Sequence, residues 1–164
     1  MKLPDLLVKT LDGLKPLEIS YGAGGLKVFA ATEFEAEQIG FAVDTDGSSL
    51  CDTDEGCWQS NWIVIGLDTG LGDPIFIDTQ SDEFPVFTAI HGEGSWEPEP
   101  VAISLKAFAQ CWGEFANIAK GRSNPVEQDE NPPTEEEIDG FLSRVQKING
   151  AKADIEFWQD ILDY

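Results

Sequence analysis

The residues best equipped for chemistry are one histidine, His91, three cysteines, Cys51, Cys57 and Cys111, and a large excess of carboxylates. A catalytic histidine needs an oriented partner before it can move a proton. His91 stands at the end of an apolar run and before Gly92-Glu93-Gly94, with no H-x-x-x-H spacing and no G-x-S-x-G elbow in the chain. It reads as a structural histidine at a strand end. The cysteines are odd in number and lack C-x-x-C spacing, which supports neither a zinc ribbon nor a disulfide framework. Reduced thiols are the simplest reading, and Cys111, inside an apolar helical stretch, reads as inert.

Two carboxylate patterns call for closer reading. Asp44, Asp46, Ser48, Leu50, Asp52 and Glu55 occupy places one, three, five, seven, nine and twelve of a calcium loop. Place six, which needs glycine, is Ser49, and a strand is expected before the loop where a helix belongs. An ordinary acidic loop fits better. Asp68, Asp73 and Asp78 could supply the paired acids of a hydrolase, yet each falls in or beside a turn, where Asp is a turn former first. Gly70-Leu71-Gly72 lies between two strands, not between strand and helix, and carries no nucleotide signal. Nothing here asks for a cofactor, a metal or an enzymatic reaction.

The elements that position these residues centre on Trp62–His91. Trp62-Ile63-Val64-Ile65, Ile75-Phe76-Ile77 and Val86-Phe87-Thr88-Ala89-Ile90 are short, rich in β-branched and aromatic residues, and bounded by turn formers. They predict a three-stranded antiparallel meander at the centre of a sheet. The first two runs lack polar alternation, so both of their faces must be covered. Upstream, Leu3, Leu6, Leu7, Leu11 and Leu14 predict a short helix within residues 1–17, ended by Gly13 and Pro16. Tyr21–Gly25 is a turn, and Leu26–Ala30 a strand. Thr32 and Glu35 have capping-box spacing and predict a helical turn or two. Ile39, Phe41 and Val43 alternate as a further strand. Downstream, Gly92–Pro100 is a loop by composition, and Ser104 caps a helix over Leu105–Lys120 stopped by Gly121.

Residues 121–133 are polar and proline-bearing, the best internal boundary. Thr134 and Glu137 form a second capping box before an amphipathic helix ending at Gly150, and Ile155, Trp158, Ile161 and Leu162 mark a short final helix. Neither helix can bury its apolar side alone, so both must dock on the sheet or on a second protomer, which makes a homodimer the alternative. The expectation is one α+β domain over residues 1–164. Its core spans about 18–120, with a mainly antiparallel or mixed sheet of five or six strands, helices around it, and a C-terminal helical extension over 134–164.

Charge distribution adds a functional constraint. The net charge is −21, and between Val28 and Leu105 there are sixteen Asp or Glu and no Lys or Arg. Unpaired carboxylates avoid burial, so this stretch must present a negative field that repels nucleic acid and anionic membranes and attracts basic proteins. No run of apolar residues is long enough for a transmembrane helix. Asp5 and Asp12 interrupt what would be the apolar part of a signal peptide, which points to the cytoplasm.

The pattern W-I-V-I-G, a Gly-Asp turn, P-I-F-I-D, then P-V-F with a histidine and V-A-I-S-L-K-A-F resembles the SUKH superfamily, the Smi/Knr-like domain. G-L-K-V-F-A-A-T-E-F extends the resemblance upstream, so that it covers roughly Gly24 to Ala119. Trp62, Gly66, Asp78, Val86, Ser104 and Phe108 carry it as structural positions. The long N-terminal helix and the L-P and G-G elements usual in that family are weak or absent in residues 1–23, and the helices from Thr134 are an addition. The resemblance implies an α+β fold and, for bacterial members, an immunity protein that neutralises a secreted toxin, often a nuclease. Nuclease toxins need basic surfaces to hold nucleic acid. The expected partner-facing acids are therefore Asp44, Asp46, Asp52, Asp54, Glu55, Asp73, Asp82 and Glu83. A regulatory scaffold of Smi/Knr type and a carboxylate-dependent hydrolase are the alternatives.

Overall fold

The computed structural model describes residues 5–163 as an α+β fold. Six strands, β1 (Glu18–Tyr21), β2 (Gly24–Val28), β3 (Trp62–Asp68), β4 (Pro74–Asp78), β5 (Val86–Thr88) and β6 (Glu99–Ala102), form one sheet in the order of the chain. Every adjacent pair is antiparallel. The helices are α1 (Asp5–Gly13), α2 (Leu105–Ile118), α3 (Pro125–Glu130), α4 (Glu135–Asn149) and α5 (Glu156–Asp160). Among the described residues, no helix is long and apolar enough to cross a membrane. Leu3 of the expected N-terminal stripe lies outside the described residues; Leu7 and Leu11 are buried, while Leu6 is exposed.

Side chains alternate between the two faces of a strand, and the pairing separates them cleanly here. Ile63, Ile77 and Val86 are opposed on one face, and Val64, Phe76 and Phe87 on the other. The first face packs against the helices. Tyr21 reaches Phe115 of α2 with ring centroids 5.9 Å apart, and α2 rests on α4 and α5 through Phe115, Phe141 and Trp158. The Trp158 indole donates to Val101 O at 2.8 Å, tying α5 to β6. Phe141, Val145 and Trp158 are fully buried within their own chain. Through these residues α4 and α5 dock on the sheet core of their own chain.

The other face of the sheet is covered without a helix. Residues 29–61, between β2 and β3, fold back over it, and Trp58 becomes the centre of an aromatic cluster. Its ring lies 4.9 Å from Phe76, 5.4 Å from Phe41 and Trp62, and 5.2 Å from Trp96. Pairs of this kind contribute about 0.5–1.5 kcal/mol each beyond area burial. Gln38 fixes the loop to the sheet. Pairing of β2 with β3 ends at Val28–Gly66, and the buried Gln38 amide donates to Val64 O and accepts from Val64 N–H, both at 3.0 Å. A side-chain amide there does what a neighbouring peptide group would do.

Five local readings change. Glu18–Tyr21 forms β1 where no strand was expected, and Tyr21, Gly24 and Gly25 of the expected turn lie in β1 and β2, leaving only Gly22-Ala23 as the turn. The capping interaction near Thr32 is made instead by Ala30 N–H and the Glu33 carboxylate at 2.9 Å, and the following turns yield only a 3-10 segment at Ala36–Gln38. Ile39 and Val43 form isolated bridges, not a strand, because Gly40 at φ +91° turns the chain and Phe41 is drawn into the aromatic cluster. The end of the expected loop, Glu99 and Pro100, belongs to β6, an edge strand that tolerates proline. The polar linker holds α3, capped by Asn124 with Pro125 at its first turn.

Candidate functional site

The Thr53–Gln59 and Ser95–Pro98 segments face each other across a groove of about 860 Å³ on the aromatic side of the sheet. A backbone hydrogen bond from Trp96 N–H to Gly56 O, 2.8 Å long, joins the two walls. Gly56 sits at φ +82°, and a Cβ there would approach Ser95 Cβ to 3.0 Å. Both facts favour glycine. Trp62 and Trp96 line the groove, each half-buried against the fully enclosed Trp58. Asp54, Glu55 and Glu97 line it as well and are exposed. The site thus combines indole surface with unneutralised carboxylates.

Of the acids expected to face a partner, Asp44, Asp46, Asp52, Asp54, Glu55, Asp82 and Glu83 are exposed. None of them forms an ion pair with Lys or Arg among the described residues. The ion pairs made by arginine, Arg122–Glu137 and Arg144–Glu114, lie outside the Lys- and Arg-free stretch. Thr79 donates through N–H and Oγ1 to Asn61 O at 2.9 Å. The turn bearing Asp82 and Glu83 therefore begins at the same end of the sheet as the segment that follows Glu55.

Asp73 departs from the expectation. Its side chain is 11% exposed, and one carboxylate oxygen accepts from His91 N–H at 2.9 Å and lies 2.7 Å from His91 Nδ1. It braces the chain after β5 against the β3–β4 turn and is not presented to a partner. The His91 side chain is 55% exposed, makes this carboxylate contact and does not line the groove. Asp68 accepts from Gly70 and Leu71 N–H at 2.7 and 2.9 Å, closing the turn as its residue type foretold.

The Asp44–Glu55 loop spends its first acids locally. Asp44 accepts from Thr45 N–H at 2.6 Å and Asp46 accepts from Ser48 N–H at 2.8 Å; the Ser48 side chain, followed by this backbone contact, holds the Asp46 carboxyl below the ordinary carboxylate range. No helix flanks the loop on either side. Among the described residues, no cluster of three or more His, Cys, Asp or Glu is arranged to hold a metal ion.

Gly66, Asp78, Ser104, Val86 and Phe108 hold the fold together, whereas Trp62 also lines the groove. A Cβ at Gly66 would meet Lys27 O at 2.2 Å, so only glycine fits beside the β3 bulge. Asp78 accepts from Asn61 Nδ2 at 2.6 Å and from Gln80 N–H at 2.8 Å, and Ser104 caps α2 by accepting from Ala107 N–H. Val86 and Phe108 are fully buried, and Trp62 is half-buried. No protein-family model, curated protein or solved structure matches the chain.

Trp96 was not singled out by the sequence reading. Its signal was available: a tryptophan inside the polar run Gly92–Pro100 has no amphipathic element to bury it, and such an aromatic marks an interaction surface.

Proposed function

We propose that this chain is a non-enzymatic, cytoplasmic binding domain that covers a cationic surface on another protein, acting as an immunity protein of SUKH type against a basic, nuclease-type toxin. The observation that carries the reading is the set of exposed, unpaired carboxylates at Asp52, Asp54, Glu55, Asp82 and Glu83 on a stretch devoid of Lys and Arg. A nuclease holds its substrate with Lys and Arg spaced for phosphates. An acidic rim on a rigid sheet competes for those side chains and blocks the substrate's path, and no chemistry of its own is needed. The same field disfavours nucleic acid as a partner. The residue pattern from Gly24 to Ala119 supports the family assignment within this reading.

The test measures association with a basic nuclease toxin domain encoded beside this chain. Charge reversal of Asp52, Asp54 and Glu55 together is expected to slow association by about tenfold or more at low salt, with a flatter salt dependence. An unchanged association rate removes this loop from the interface. Failure of the wild-type chain to bind or to suppress the nuclease overturns the reading.

A further inference from the structure

The groove between Thr53–Gln59 and Ser95–Pro98 has more structure than charge steering requires. Steering acts over about a Debye length and needs only net charge. This site also has half-buried indoles along an open groove and walls joined by the Trp96–Gly56 hydrogen bond. Its volume lies within the roughly 300–1,000 Å³ of pockets that enclose a discrete ligand. Guanidinium is the group that both stacks on aromatic faces and forms forked hydrogen bonds with carboxylates. An ammonium offers a point charge without the flat surface. We infer that the groove is the specificity pocket of this protein, and that it takes an arginine side chain presented by an extended segment of the basic partner. The guanidinium stacks on Trp62 or Trp96 and pairs with Asp54, Glu55 or Glu97.

This inference rests on the binding reading above, but its signature differs. Rim charges govern the association rate, whereas a filled pocket governs dissociation. The locked walls lower the ordering cost of binding, so the pocket is preformed in the free protein.

The probe is a short capped peptide, Gly-Arg-Gly-Arg-Gly, compared with its citrulline and lysine analogues on the full chain by NMR of the indole N–H signals. The arginine peptide is expected to shift the Trp62 and Trp96 signals, the lysine peptide to bind several-fold more weakly, and the citrulline peptide to leave both unmoved. The triple variant D54N/E55Q/E97Q keeps every aromatic contact and is expected to weaken binding by about tenfold. W96L, checked for an intact fold by the Trp112 and Trp158 indole signals on the helical side of the sheet, is expected to do the same. Against the basic protein domain, W96L is expected to raise the dissociation rate and leave association unchanged. Equal affinity of the triple variant, equal binding of the citrulline peptide, or shifts confined to residues outside the groove would overturn the pocket. If the toxin domain binds and the Asp52/Asp54/Glu55 reversal slows it while the indoles stay still, the pocket fails and the broader reading stands. If the arginine peptide fills the groove and no toxin domain binds, the pocket stands and the immunity reading fails.

Discussion

At the scale of single residues, the three cysteines show how one side-chain type divides by environment. Cys111 is fully buried, and desolvation pushes its thiol up to about 11 even though the Asn149 amide contacts the sulfur at 3.4 Å. The thiolate is the reactive form, so Cys111 is protonated and inert at neutral pH. Cys51 and Cys57 are free and half-buried in the loop over the aromatic face. A thiol-exchange titration of the native protein is expected to modify those two readily and Cys111 only after denaturation. Three equally fast thiols would contradict the packing around α2. The assignment of Cys111 was legible because its neighbours have helical apolar spacing. The grouping of Trp96 with Trp62 was not, since the two meet around Trp58 only once the fold brings distant segments together. Asp73 misled for the same reason: its residue type announces a turn, and only the fold brings His91 to it.

At the scale of elements, Arg122 joins three helices. It is 4% exposed, donates from Nη1 to Ile118 O and from Nε to Asn131 O at 2.7 Å, and grips both Glu137 carboxylate oxygens at 3.0 and 2.9 Å. Its own carbonyl accepts from Gly22 N–H at 2.9 Å, linking the helical layer to the β1–β2 hairpin. Arg122→Met is expected to destabilise the fold by about 2–4 kcal/mol, because two inward carbonyls lose their donors. Urea melts measure the loss, and a change below about 0.5 kcal/mol would show that water replaces the guanidinium. The strands β3 to β5 were legible as short β-branched and aromatic runs between turn formers, and α2 and α4 by their helical period and caps. The missed elements lacked such a signal or concealed it. β6 pairs through Glu99 and Pro100, residues that read as loop, and α3 is capped by Asn124-Pro125 within a stretch whose polarity suggested only a linker. Ile39, Phe41 and Val43 had the strand period, but packing against Trp58 outweighed it.

At the scale of the whole molecule, the excess of carboxylates acts on stability in two directions. Glu127 and Glu137 sit below the ordinary range, the first chiefly through the Ser123 side chain and the second chiefly through Thr134 N–H. Their contribution is present above the ordinary carboxylate range and is lost as pH falls through their folded values. Glu99 behaves oppositely. Desolvation, followed by the charges of Glu156, Asp160, Asp154 and Asp73, raises it above 4.5. It therefore opposes folding at neutral pH, and the opposition disappears as protonation proceeds below its folded value. Glu99→Gln is expected to raise the melting temperature at neutral pH and leave it unchanged below about pH 4. A stabilisation of equal size at both pH values would trace the gain to β6 packing instead of charge. The strand order adds a kinetic consequence. Because each strand pairs with its neighbour in the chain, hairpins can zip together one after another, and local pairing of this sort favours rapid folding. The exception is the span from 29 to 61, which must close before Trp58 can seat itself. That span holds eight carboxylates and no cation, so its closure is the folding step that dissolved counter-ions most assist.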